Sequence, residues 1–170
     1  MISYGDVELV YLDTHDGPFV CDLLWHQGQN LMTEPEVLTY DNAVPYITAS
    51  MAGTSSKAFG IWHKEERVGL ITLLDIHRVH RSAYLGMLAV VPGSGVKTGY
   101  GAVKALLSYA FNRQNLNRVS AHTWSDNPDM GVLYKRCGAK HEGTERQQAY
   151  KNGKYIDRLI YSVLKEEYGT

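Results

Sequence analysis

Hydrophobic and polar positions along this chain change their spacing several times, and each change predicts an element. Val7 to Leu12 reads as a first strand. Gly17-Pro18 then starts a short helix to about Trp25, with Phe19, Leu23 and Leu24 on its apolar side. Gln27 to Tyr40 is polar and reads as irregular. Asp41 or Asn42 caps a second helix to about Met51, with Pro45 in its first turn, and Gly53 to Ser56 ends it. Ala58 to Trp62 and Val68 to Leu74 are strand-like and are separated by the charged turn Lys64 to Arg67. Ala83 to Val91 is a third apolar stretch, and the three predict an antiparallel meander. In the next segment Val103, Leu106, Leu107, Ala110 and Phe111 recur at helical spacing. Arg118 to Trp124 is again a strand. Pro128 to Cys137 is a short helix ended by Gly138. His141 to Tyr150 and Tyr155 to Leu164 pair across the turn Asn152-Gly153. The order predicts an α+β fold with a mixed sheet.

A chain of 170 residues without repeats or linkers reads as one domain, 1–170. Its net charge of −1 gives no support for nucleic acid or an anionic membrane as partner. No apolar run is long enough to span a bilayer, and the N-terminus lacks a signal-peptide pattern. Cys21 and Cys137 fit no metal spacing and read as reduced thiols, which predicts a cytoplasmic protein. No metal site is expected; His77 and His80 lie three apart without a matching third ligand. Twelve tyrosines and three tryptophans supply either a core or a pocket, and composition does not decide which.

Two constellations carry candidate chemistry. VKTGYGA, Val96 to Ala102, lies between the apolar stretch Tyr84 to Val91 and the helical stretch Ala102 to Arg113. Glycines ahead of a helix let backbone N–H groups approach a phosphate, and the helix dipole favours negative charge there. A plain tight turn explains the same residues. A nucleotide-hydrolysing loop does not: Val96 stands where a glycine must precede Lys97 and Thr98. A dinucleotide fingerprint would not come so late, after antiparallel strands. The second constellation is Asn127, Tyr134 and Gly138. Asn127 precedes Pro128 as a helix cap would, and Tyr134 falls near the middle of the short helix. A phenol with a pKa of about 10 is protonated at neutral pH and can donate to a leaving thiolate. It can equally be an aromatic packing residue.

Taken together, the loop, the element order and the Asn–Tyr–Gly spacing resemble the GNAT superfamily of N-acetyltransferases, from about Arg67 to Tyr168. VGLITLLDI and YLGMLAV look like that family's central strands. VKTGYG matches its glycine motif. EGTERQQAYKNGKYIDRLIYSVLKEEY resembles the C-terminal hairpin of the branch with ribosomal-protein N-terminal and spermidine acetyltransferases. The resemblance implies a mixed, mostly antiparallel, splayed sheet flanked by helices. It implies a variable acceptor-binding region over about 1–56 and an acetyl-CoA-binding core over about 57–170. It also implies acetyl-CoA as cosubstrate and an amine as acceptor. The main chain of Leu88, Ala89 and Val90 would hold the pantetheine arm. Backbone N–H groups around Val96, Lys97, Thr98, Gly99, Tyr100, Gly101 and Ala102 would hold the pyrophosphate. Asn127 would contact the cofactor arm, and Tyr134 would protonate the CoA sulfur. A homodimer is compatible with the family.

The glycine loop departs from the family pattern in two ways. Val96 replaces the usual Gln or Arg, and the turn Pro92 to Gly95 is about one residue longer. Tyr84 stands where related proteins often carry a glutamate base. Asp75, His77, His80 and His122 remain as proton acceptors, with His122 nearest the expected acyl group. Glu34 and Glu36 are candidates to meet a cationic acceptor. An acyltransferase using another acyl-CoA, and a CoA-binding domain without catalysis, stay open beside the acetyltransferase reading.

Overall fold

The computed structural model describes residues 1–31 and 55–168, and it realises the meander, the central helix and the terminal hairpin. In chain order the elements are β1 (Ser3–Tyr4), β2 (Val7–Tyr11), α1 (Gly17–Leu31), β3 (Lys57–His63), β4 (Glu66–His77) and β5 (Ser82–Val90). There follow α2 (Val96–Ser108), β6 (Arg118–Trp124), α3 (Pro128–Arg136), β7 (Lys140–Lys151) and β8 (Lys154–Leu164). The strands form one sheet in the order β1-β2-β3-β4-β5-β6-β8-β7. Every neighbouring pair is antiparallel except β5 and β6.

Strand alternation sends side chains to two separate cores. Phe59, Ile61, Ile71, Leu73 and Leu85 pack against α2, whose Val103, Leu106 and Leu107 are buried as the spacing predicts, as is Ala110 in the π-helical turn Tyr109–Arg113 that continues it. Ala58, Leu70 and Ala89 face the other way, against Val20, Leu23 and Leu24 of α1. The Arg67 guanidinium lies 4.3 Å from the Phe19 ring centre and pairs with Asp16, fastening the start of α1 to the sheet. In the β7–β8 turn, Asn152 and Gly153 both take positive φ, as a two-residue hairpin requires.

Some expectations need correction. α1 runs on to Leu31, so the polar stretch from Gln27 begins inside a helix; polarity alone does not stop one. The second helix, Asp41 to Met51, lies outside the described residues. α2 begins at Val96, well before Ala102, because Gly95 with φ 80° is its N-cap. Gly99 and Gly101 are therefore helical residues. Gly101 serves packing: a Cβ there would lie 2.7 Å from Cγ2 of Val7 on β2.

Gly69 on β4 is a still tighter contact, since a Cβ would lie 2.3 Å from the Ala89 carbonyl oxygen on β5. Gly69→Ala is expected to destabilise the chain by about 1–3 kcal/mol, read as a lower urea midpoint. An unchanged midpoint would contradict this close approach.

Candidate active site

The site arises where the sheet comes apart. β5 pairs in parallel with β6 only from Ser82 to Leu85, against Arg118 to Ala121. On its other side β5 slips against β4: Ile71 faces Leu88, but Leu73 faces Leu85, leaving one extra residue at Gly86–Met87. Such a bulge bends its strand. β6 meanwhile stays paired with β8 as far as Trp124 opposite Arg158. The strands diverge around a cleft of about 770 Å³, lined by residues of β5, β6, α3 and the start of α2.

The main chain of β5 faces this cleft. Val91 donates its N–H to the Val68 carbonyl at 2.7 Å. Alternation then turns the N–H and C=O groups of Leu88 and Val90 away from β4, toward the cleft. At its rim, Gly93 and Gly95 have φ of 90° and 80° and lead into α2. No side chain caps that helix. The amides of its first turn, at Val96 and Lys97, thus have no partner within the helix, whereas those from Gly99 onward belong to its own ladder. The helix dipole makes this rim attractive to anions.

Tyr134 of α3 lies along the cleft, buried, with its hydroxyl donating to the His122 carbonyl at 3.3 Å. Burial, and then the nearby Cys137, pushes its pKa up from 10, so the phenol keeps its proton. His122 on β6 is half-buried in the same wall. Burial first, then the Arg158 cation, lowers its pKa, while Glu145 opposes them. Its imidazole is neutral at pH 7. Tyr84 and Trp124 flank it, with ring centres 5.3 Å and 5.5 Å away. Cys137, at the end of α3, is a buried thiol pushed up to about 12 by desolvation.

Of the expected site residues, the structure gathers Leu88, Ala89, Val90, Val96, Gly99, Asn127, His122 and Tyr134 around the cleft. It directs others elsewhere. Lys97 is exposed, and Thr98 is buried with its hydroxyl donating to the Ser94 carbonyl at 2.6 Å. Tyr100 packs edge-on against Tyr4, while Gly101 and Ala102 face the core. The amides of Tyr100, Gly101 and Ala102 lie inside α2, within its own hydrogen-bond ladder. Asn127 occupies the N-cap of α3 but its side chain makes no capping bond, leaving the amide along the cleft. His77 and His80 stack on each other at 4.1 Å in the exposed β4–β5 turn, and neither they nor Asp75 line the cleft. Glu34 and Glu36 lie outside the described residues. Gly93 and Gly95, noted only as part of a longer turn, line the cleft too, as do Trp124, Met130 and Leu133, which were not among the expected site residues. The glycines ahead of the helix and the alternation Ser120, His122, Trp124 are the sequence signals for three of them.

A divided sheet, with a helix N-terminus at one end of the cleft and a buried phenol along it, defines a class. Such an arrangement can hold an extended ligand with an anionic tail along the strand edge. This chain belongs to the GNAT acetyltransferase family, whose domain description matches residues 7–140. It is similar to spermidine N(1)-acetyltransferase of Vibrio cholerae, 29% identical over 101 residues, or 59% of this chain and 58% of that protein. It is also similar to the putative ribosomal N-acetyltransferase YdaF of Bacillus subtilis, 32% identical over 111 residues, 64% of this chain and 60% of that one. The chain thus spans less than two thirds of the length of these curated relatives. The crystal structure of spermidine N-acetyltransferase from Vibrio cholerae in complex with CoA and spermine has a TM-score of 0.86 with this fold. It is 24% identical and covers 97% of this chain and 99% of its own. At that identity the likeness is one of fold.

His122 carries a pH signature. Its pKa is lower folded than the unfolded value of about 6.5, so protons bind more strongly to the unfolded chain. The contribution of neutral His122 to stability is full above about pH 6.5 and is lost as pH falls through the folded value. His122→Gln is expected to lose less Tm than the wild type between about pH 7.5 and 5.5. Parallel melting curves for the two proteins would contradict the shift.

Proposed function

We propose that this chain is an N-acetyltransferase that moves an acetyl group from acetyl-CoA to a primary amine by direct attack in one ternary complex. The observation that carries the reading is the edge of β5 turned toward the cleft beside Tyr134. The residues fit the cosubstrate. Leu88 offers an N–H and a C=O to an extended arm, as an added strand would use them. The first-turn amides of α2, reached over Gly93 and Gly95, suit a pyrophosphate. A Cβ at Gly99 would touch only Leu133, at 3.5 Å, and Leu88, at 4.0 Å, so the missing side chain keeps that stretch open. Asn127 is placed to meet the arm.

Acetyl-CoA supplies a thioester whose carbonyl carbon an amine can attack. An amine with a pKa near 10 arrives protonated. His122, neutral and facing the cleft, accepts that proton, directly or through a water. Tyr134, held in its protonated form, donates its hydroxyl proton to the departing sulfur. The cleft holds both partners together, which supplies much of the rate by proximity. Cys137 forms no acyl intermediate, because a buried thiol with a pKa near 12 is not a thiolate at neutral pH.

The acceptor we favour is a small-molecule amine, with a protein N-terminus as the other candidate. The name of the Vibrio cholerae relative supports the first, and the name of the Bacillus subtilis relative supports the second. The near-neutral chain carries no basic docking tract, which favours the small molecule. We assign the reaction to the cytoplasm, on the support of two buried cysteines that remain thiols. No described helix is long and apolar enough to cross a membrane.

A thiol-release assay with acetyl-CoA against polyamines, aminoglycosides, amino acids and peptides tests the reading; release with none of them would overturn it. Tyr134→Phe is expected to lower kcat at least about tenfold while acetyl-CoA still binds. Wild-type turnover would remove Tyr134 from the mechanism. Gly99→Val is expected to fold and to weaken CoA binding by about tenfold, or ~1.4 kcal/mol, in calorimetry. Wild-type affinity would show that the ligand does not pass this point of α2.

A further inference from the structure

The geometry assigns Thr72 on β4 as the residue that holds the β5 bulge and so positions the strand edge of the active site. The inference rests on the reading of β5 as the cosubstrate's docking edge. Thr72 is 2% exposed, and its hydroxyl oxygen accepts the N–H of Met87 at 2.8 Å. That N–H is the donor which the bulge displaces. Residues immediately flanking it pair directly: Leu88 faces Ile71 and Leu85 faces Leu73, with the extra residue between them. In an unbulged ladder a main-chain carbonyl of β4 would receive Met87. Here a side-chain oxygen stands in for it.

The substitution of a side chain for a carbonyl has consequences along β5. A strand has a period of two, so inserting or losing one residue turns every later peptide and side chain to the opposite side. The bulge therefore decides whether Leu88 presents its N–H and C=O to β4 or to the cleft. Gly86 completes the arrangement. A Cβ on it would lie 2.6 Å from Oγ1 of Thr72 and 2.5 Å from Cδ1 of Leu74, so the hydroxyl and the bulge occupy complementary space. Thr72 itself does not line the cleft. It acts through Met87 and Leu88, as a positioning residue.

Threonine has two near-isosteric partners that separate this role from packing. Valine keeps the shape and the buried methyl groups but has no oxygen for Met87, which leaves a buried donor unpaired. Serine keeps the oxygen and loses a methyl group from the core. The experiment measures kcat, the acetyl-CoA KM and Tm for Thr72→Val and Thr72→Ser, with calorimetric CoA binding for both and for the wild type. Thr72→Val is expected to lose at least about tenfold in kcat/KM for acetyl-CoA. Thr72→Ser is expected to melt lower than the wild type yet keep its kcat/KM. A purely structural Thr72 would make activity follow Tm in both variants, and that result overturns the assignment, as does an unchanged kcat/KM in Thr72→Val. Hydrogen exchange at the Met87 amide gives a readout that needs no folded valine variant: protection in the wild type and Thr72→Ser is expected, and exchange at the open-chain rate overturns the assignment. Absence of CoA binding by the wild type would strike the functional reading itself. Wild-type binding with an unaffected Thr72→Val would strike Thr72 alone.

Discussion

The structure depends on two parallel strands that hydrogen-bond for four residues and then part. Backbone N–H and C=O groups that leave a ladder must find other partners. On β6 the His122 carbonyl, just past the last residue paired with β5, accepts the Tyr134 hydroxyl, while β8 accompanies the strand's other edge to Trp124. β5 keeps β4 on one side, and on the other it points the peptide of Leu88 into a cleft. An extended ligand that pairs with that edge resolves the demand as a further strand would. The neighbouring features follow from the same divergence. The bulge at Gly86–Met87 bends β5, α3 brings Leu133 and Tyr134 into the gap, and α2 starts at its rim.

The cleft is also polarised along its length. Its rim carries the positive end of the α2 dipole and first-turn amides without helical partners. Its interior wall holds a phenol and an imidazole whose surroundings favour their uncharged forms, by the same cause acting in opposite directions. Burial disfavours phenolate and imidazolium alike. A ligand with an anionic tail and a neutral reactive end is therefore oriented by electrostatics as well as by shape. The arrangement suits a reaction that begins with a proton leaving the acceptor and ends with a proton reaching sulfur. The charged pair Arg158–Glu145 stands on the hairpin behind β6, where it tunes His122 in opposing directions.

Periodic elements were legible in the sequence, because burial on one face writes itself into spacing. The apolar face of α2, the meander strands and the Asn152-Gly153 turn are of this kind. Tyr134 and Asn127 were legible through their spacing and the family resemblance, as was Leu88. The start of α2 was not. Gly99 and Gly101 look like helix breakers, and only the approach of Val7, from a strand near the other end of the chain, explains why Gly101 sits inside a helix. The bulge was hidden for a related reason: register is a property of two strands, and a run such as SAYLGMLAV reads the same with or without it. Thr72 was hidden with it, as a polar residue in an apolar strand whose purpose lies on the neighbouring one.

On the proposed reading, main-chain binding also accommodates the departures of the glycine loop. The Val96 side chain is 69% exposed at the first position of α2, and so contributes little to the core. A glutamine or arginine there would reach a phosphate by its side chain. The amide at the same position does not depend on that side chain, and neither does the helix dipole. What the amides need is a chain path that delivers them uncapped to the rim. Gly93 and Gly95 provide it, at φ values that a side chain would strain, and with open space where a Cβ would stand. On the proposed reading the longer turn and the valine belong together: an anion would be gripped by the backbone, which the extra glycine shapes, rather than by a side chain.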